Sequence, residues 1–209
     1  MQIQFRRLRL WLWVLGLVVL IAGYVNGFTA PDQFAHALAP ALKRLEELAQ
    51  TGRQSGEGVG VGTIFVNNAM VAVLMMAAGV LAGIVPVLIL WFNGLLMGYV
   101  VQVGAAHLGV SAWRVLAFAM LPHGVLELAG LLWAASWGLY LGYVALYAVY
   151  DRVRAAATGL RAIARPRLRR ELRRAALRIP ALLVILLAAA WVEVHVTPGL
   201  MARGLNVSP

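Results

Sequence analysis

Five apolar stretches, each about long enough to cross a lipid bilayer, constrain the fold of this chain more than any other feature of its sequence. A membrane-spanning helix needs about 20 predominantly apolar residues. Hydrophobic residues make up 62% of the chain and charged residues 12%, whereas soluble domains average roughly 45–50% and about 25%. The sequence therefore predicts an all-α, polytopic membrane bundle. The stretches cover residues 10–28, 63–84, 86–105, 126–150 and 180–196.

The basic residues predict the orientation of these helices. Ten of the 18 lysines and arginines lie within residues 152–178, and three more precede the first apolar stretch. Because positive charge collects on the cytoplasmic side, we predict a bacterial inner-membrane protein with a cytoplasmic N-terminus and an outer C-terminus. This rule explains the net charge of +10 without nucleic acid. The arginine-rich segment is expected to contact anionic membrane lipid.

We predict one membrane domain, with residues 1–209 divided into five segments. The chain contains no cysteine, which excludes disulfides and thiolate metal ligands. In chain order the segments are an uncleaved anchor helix (1–28), an outer amphipathic helix and glycine-rich linker (29–62), a helical core (63–150), a basic cytoplasmic segment (151–178), and a last span with an outer tail (179–209).

Two local patterns refine this division. Apolar residues from Phe34 to Leu48 recur at helical spacing, which predicts a short amphipathic helix that starts near Pro31 and lies on the membrane or on the bundle. Val85 and Pro86 predict a tight hairpin between the second and third spans, because the residue before a proline disfavours helix.

Residues 112–150 are apolar for nearly forty residues, which is long for one span and short for two spans with a turn. Pro122, His123 and Gly124 interrupt this stretch. The predicted orientation requires an odd number of crossings here. We therefore predict a re-entrant or broken helix that ends near residues 122–124, followed by one full span; two spans remain the alternative. Non-helical backbone at this depth must face protein or a water-filled cavity.

Two of the eight acidic residues, Glu127 and Glu193, lie inside apolar stretches. Ionisable groups are costly there and tend to mark function or tight pairing. His123 precedes Glu127 by four residues, so both side chains share one helix face. These three residues are a candidate ligand set for a divalent metal such as zinc. His195 is a further donor by position, but its first interpretation is a surface or interface histidine. The leading interpretation of the His123–Glu127 pair is nevertheless a structural hydrogen bond, and a proton relay is the next alternative.

We predict that these residues belong to a polar cluster near the outer face of the membrane. Asn93, inside the third span, is expected to bond across helices. The predicted members of the cluster are Asn67, Asn68, Asn93, His123, Glu127, Glu193 and Thr197.

Four segments of the chain resemble the stage II sporulation protein M family, in an order that covers roughly residues 60–200. The most specific is Pro-His-Gly-x-x-Glu at residues 122–127. The others are Phe65-Val66-Asn67-Asn68, Phe92-Asn93-Gly94 with Gly98, and Glu193 with Val196-Thr197-Pro198.

The resemblance implies a polytopic membrane protein with other envelope proteins as partners. Founding members of the family hold two cell-wall hydrolases, stage II sporulation proteins D and P, at the engulfing septum. Our leading hypothesis is a non-catalytic scaffold linked to cell-envelope remodelling. A permease-like component with a His123–Glu127 relay is the first alternative.

An intramembrane metal-dependent enzyme is the second alternative. We assign no catalytic residue, because the chain lacks a His-Glu-x-x-His motif. The glycines at positions 94, 98 and 104 suit close helix contacts, and glycine-rich helix faces make a homodimer plausible.

Overall fold

The computed structural model of the chain describes residues 2–55, 60–159 and 165–205. These residues are helical apart from short turns, and five helices are long and apolar enough to cross a membrane. The predicted all-α, polytopic architecture is thereby confirmed. In chain order the helices are α1 (Gln2–Thr29), α2 (Pro31–Ser55), α3 (Val61–Ala78), α4 (Ile84–Leu108), α5 (Ala112–Val115), a π-helical segment (Leu116–Met120), α6 (Leu121–Thr158), α7 (Arg165–Ala176), α8 (Ile179–His195) and α9 (Thr197–Leu205).

Helix α6 is the centre of the bundle, because α1, α3, α4, α7 and α8 all contact it. Its buried part, from Gly130 to Val144, combines small residues with leucines and aromatic residues. The main core forms there, around Leu90 and Leu186, both of which are fully buried. Since lipid offers no hydrophobic driving force between helices, this close packing supplies the attraction between the spans.

Helices α1 and α4 touch along their backbones at glycine residues. A β-carbon on Gly94 would collide with the carbonyl of Leu20, and one on Gly98 with the carbonyl of Tyr24. These two glycines therefore serve a contact inside one chain. Gly104 makes only an ordinary contact, with Val115. The homodimer stays a prediction.

The turn between α3 and α4 lies at residues 79–83, so the hairpin predicted at Val85 and Pro86 was wrong by a few residues. Pro86 is the third residue of α4, where a missing N–H costs little. Gly83 has a φ of 75°, which glycine adopts without steric cost. The turn packs against Gly138 and Gly142 of α6, where side chains would collide.

Helix α2 begins at Pro31 as predicted, but it is longer than the short helix expected. It continues to Ser55, into the predicted linker, and residues 56–59 of that linker lie outside the described part of the chain. Its apolar face lies on α4, with Leu38 fully buried and the Phe34 ring edge-on to Trp91. The helix therefore covers part of the bundle.

Residues 112–158 are helical throughout, so a break at residues 122–124 is not observed. The irregularity lies just before them, in the π-helical segment, where the N–H of Leu121 bonds the carbonyl of Leu116. This wider turn suits Pro122, because a proline ring clashes with the carbonyl four residues earlier in a regular α-helix. Re-entry of this part of the chain into the bilayer stays a prediction.

Helix α9 packs against α5 and the π-helical segment. The Phe118 ring lies against Gly204, and the Arg114 guanidinium donates a hydrogen bond to the Gly204 carbonyl. Val101 and Leu205 are buried in the small core beneath them. We call this end of the bundle the outer end, after the predicted orientation, and the opposite end the inner end.

Candidate metal centre

Helices α6 and α8 run antiparallel and bring the predicted ionisable residues together. Gly130 lies against Leu186. Nearer the start of α6, His123 contacts Thr197, which is two residues beyond the end of α8. His123, Glu127 and Gly130 follow one another at spacings of four and three, so they occupy one face of α6. The small Gly130 lets α8 approach this face closely, next to Glu127.

Three side chains converge at this contact. His123, Glu127 and Glu193 each offer a ligand atom, and these atoms all lie within 4.8 Å of one another. Ligands of a tetrahedral zinc ion, at about 2.1 Å from the metal, lie roughly 3.4 Å apart. The separation of the three donors is therefore of the order that one shared ion requires.

The His123 ring is held by Thr197. Its Nδ1 lies 3.2 Å from Thr197 Oγ1, and that hydroxyl donates to the Val192 carbonyl at 3.3 Å. Assigning the hydroxyl proton to the Val192 carbonyl makes the Thr197 oxygen the acceptor of a hydrogen bond from Nδ1–H. Nε2 then carries the lone pair, which is the form of histidine that binds metals. Thr197 is 4% exposed, so the Thr197 side of this contact is buried.

Glu127 and Glu193 impose an electrostatic requirement on the site. Both are partly buried in segments apolar enough to span a membrane. Two ionised carboxylates at this separation repel each other, and a low dielectric strengthens the repulsion. A bound cation or a shared proton removes it. The arrangement is therefore suited to binding a positive ion.

The asparagines lie on other helices. Asn67 donates to its neighbour Asn68 at 3.4 Å, on α3, which contacts both α6 and α8. Their membership of the polar cluster stays a prediction. Asn93 donates to the Ile89 carbonyl at 2.8 Å, one turn back on its own helix. We expected Asn93 to bond another helix, but it makes this local bond instead. A short amide side chain can reach a carbonyl of its own helix easily.

His195 turns away from the three donors. Its Nδ1 lies 3.0 Å from the Trp191 carbonyl, and its ring stacks on the Trp191 indole with 4.9 Å between centroids. His195 is exposed and therefore lies outside the group of three donors. Thr197 acts on His123 instead, and Gly130 is a supporting residue that the sequence interpretation did not single out. Gly130 follows Glu127 by three residues, and this helical spacing was the sequence pattern that could have identified it.

Five helices are long and apolar enough to cross a membrane, and two of them hold a partly buried His-Glu-Glu group, which are the features of a polytopic membrane protein. The family model for stage II sporulation protein M matches residues 14–198, and the chain belongs to this family. The resemblance seen in the four sequence segments is thereby confirmed. Searches of curated proteins and of solved structures returned no match.

Proposed function

We propose that this chain is a bacterial cytoplasmic-membrane protein whose functional centre is a divalent metal ion bound by His123, Glu127 and Glu193. The observation that carries the proposal is the convergence of these three donors to within 4.8 Å from two helices. The resemblance alone implied neither a metal nor a ligand set. The metal centre would lie near the outer end of the bundle.

The donor set suits a borderline metal such as zinc. One imidazole nitrogen and two carboxylate oxygens are common zinc ligands, and three protein ligands leave a fourth position open. The Thr197 hydroxyl supplies the outer contact that fixes a ligating histidine in most metal sites. The metal would offset the repulsion between Glu127 and Glu193 and would join α6 to α8.

An open coordination position gives this centre a binding role. It would accept an oxygen atom from water, from a solute or from an acidic group of a partner protein. The ion would also hold the start of α6, and with it the π-helical segment and α9, which pack on one another. We therefore infer a metal-dependent, non-catalytic binding protein in the envelope, for which cell-wall hydrolases are candidate partners.

Helix α2 favours a second candidate, a scaffold that needs no metal. Its apolar face covers α4, while Lys43 and Glu47, which lie 3.9 Å apart, are exposed. A polar helix surface at the outer end could bind an envelope partner by itself. In that case His123, Glu127 and Glu193 would share a proton and act as a structural group or as the relay of a permease.

Elemental analysis of detergent-purified protein tests the proposal. We expect about one divalent ion per chain in the wild type and almost none in Glu127→Gln or Glu193→Gln. Glu46→Gln, on the exposed part of α2, is the matched control and should retain the ion. Folded wild-type protein that takes up no ion from zinc-containing buffer would contradict the proposal and leave the metal-free scaffold or the relay.

A further inference from the structure

A second site lies at the inner end of the bundle, away from the metal centre. A cavity of about 430 Å³ is lined by Trp137 of α6, Arg174 of α7, and Leu177 and Arg178 of the turn before α8. Ligand pockets in proteins commonly have volumes of about 300–1,000 Å³. The lining combines one buried indole, one exposed aliphatic side chain and two guanidinium groups.

Helix α7 is fixed in place beside this cavity. Leu168 and Ala175 join the main hydrophobic core. Glu171 is 2% exposed and accepts a hydrogen bond of 2.9 Å from Arg174. A guanidinium has five N–H donors, so this bond orients Arg174 and leaves it donors for a ligand.

The cavity lies where a lipid headgroup would be. Arg178 directly precedes α8, whose apolar residues begin at Ile179. Leu177 is 68% exposed and projects from the same turn. In membrane proteins arginine and tryptophan favour the boundary between hydrocarbon and water. A ligand in this cavity would therefore meet charge on one side and apolar surface on the other.

We propose that this cavity binds the phosphate group of an anionic phospholipid from the inner leaflet. Arg174 and Arg178 donate to the phosphate oxygens, for which the planar guanidinium is well suited. The glycerol and the upper acyl chain contact Leu177 and Trp137. The apolar rim favours a lipid over a soluble phosphate, which would gain nothing from Leu177.

The surrounding charge supports this choice. Between Arg165 and Arg178 the sequence has seven arginines and one acidic residue, Glu171, which is already paired with Arg174. The excess positive charge attracts an anionic leaflet in general. The cavity adds a defined position at which one lipid is held, so its arginines should matter more than the others on α7.

Native mass spectrometry of the full-length protein in detergent tests this inference. The probes are phosphatidylglycerol, phosphatidylcholine and soluble glycerol 3-phosphate. Arg178→Gln removes a donor from the cavity and leaves the Glu171–Arg174 bond intact. Arg173→Gln removes the same charge from an exposed neighbour outside the cavity lining and is the matched control.

We expect phosphatidylglycerol to bind the wild type more tightly than phosphatidylcholine does. Arg178→Gln should weaken that binding about tenfold or more, as expected for a lost charge-assisted hydrogen bond, and Arg173→Gln by less than about threefold. Equal losses in both variants would show surface attraction only and overturn the proposal. Displacement of the lipid by an equal concentration of glycerol 3-phosphate would overturn the assignment to a lipid. The metal content is measured on the same samples, so failure of one proposal is distinguishable from failure of the other.

Discussion

His123 on α6 and Thr197 at the start of α9 are 74 residues apart in sequence, and 3.2 Å separates Nδ1 of the first from Oγ1 of the second. Because Thr197 also donates to the Val192 carbonyl at the end of α8, one hydroxyl connects three helices. With the hydroxyl proton assigned to Val192, Nε2 is the nitrogen of His123 that is available as a ligand. The contact between His123 and Thr197 thus orients one member of the group that the two carboxylates complete.

Thr197→Val should weaken metal binding without changing the ligands themselves. Valine has nearly the same shape as threonine but accepts no hydrogen bond, so the His123 ring loses its fixed orientation. We expect affinity to fall about 10–100-fold, as for other outer contacts of metal-bound histidines. Titration against a chromophoric chelator measures this. Thr197→Ser is the control and should bind nearly as well as the wild type; equal affinity for Thr197→Val would contradict the assigned role.

The Glu193→Gln variant should be at least as stable as the wild type without metal and less stable than the wild type with metal. Without metal the variant should unfold at the same temperature as the wild type or higher, because the repulsion between Glu127 and Glu193 is gone. With free metal at 100 times the dissociation constant, the wild type should gain about 2.7 kcal/mol and the variant almost nothing. Thermal unfolding followed by tryptophan fluorescence, with and without chelator, measures both. Equal gains in the two proteins would exclude Glu193 as a ligand.

The number and type of the spans were predictable from sequence, because the bilayer imposes a length of about 20 apolar residues on every crossing. The helix irregularities were not. Proline residues 86 and 122 both lie in the first turn of a helix, after the turn or the π-helical segment that accommodates them. A proline shows that a regular hydrogen bond is missing nearby, but the tertiary contacts of Gly79 and Gly83 with α6 decide where the chain turns.

Two of the three candidate ligands could be paired from spacing, since His123 and Glu127 are four residues apart on one helix. The approach of Glu193 depends on the pairing of α6 with α8, which no local pattern reveals. For Asn93 a contact between helices was predicted from its polarity, but its side chain bonds its own helix. Local spacing was reliable for residues on one helix and unreliable for the contacts between helices.

Gly98→Ala should destabilise the bundle strongly, because the new methyl group would collide with the Tyr24 carbonyl and push α1 away from α4. Overpacking of this kind typically costs about 1–3 kcal/mol. Gly104→Ala, on the same helix, places its methyl group at an ordinary 3.8 Å from Val115 and should be neutral. Thermal unfolding of the two variants side by side measures the difference. Similar melting temperatures would contradict the backbone contact between α1 and α4.

The predicted orientation is testable because the chain has no cysteine of its own. We expect Glu47→Cys on α2 to react with a membrane-impermeant maleimide in intact spheroplasts. Arg169→Cys on α7 should react only after the membrane is permeabilised, since the positive-inside rule places the arginine-rich helix in the cytoplasm. The reverse labelling pattern would invert the topology and place the metal centre on the cytoplasmic side.

X-ray absorption spectroscopy of the purified, zinc-loaded protein tests most directly whether His123, Glu127 and Glu193 bind one metal ion. We expect one imidazole nitrogen and two carboxylate oxygens, all at about 2.0–2.2 Å, with one further light-atom ligand. The imidazole signal should disappear in His123→Ala and persist in His195→Ala. A first shell with no imidazole, or an imidazole signal that survives His123→Ala, would contradict this account of the site.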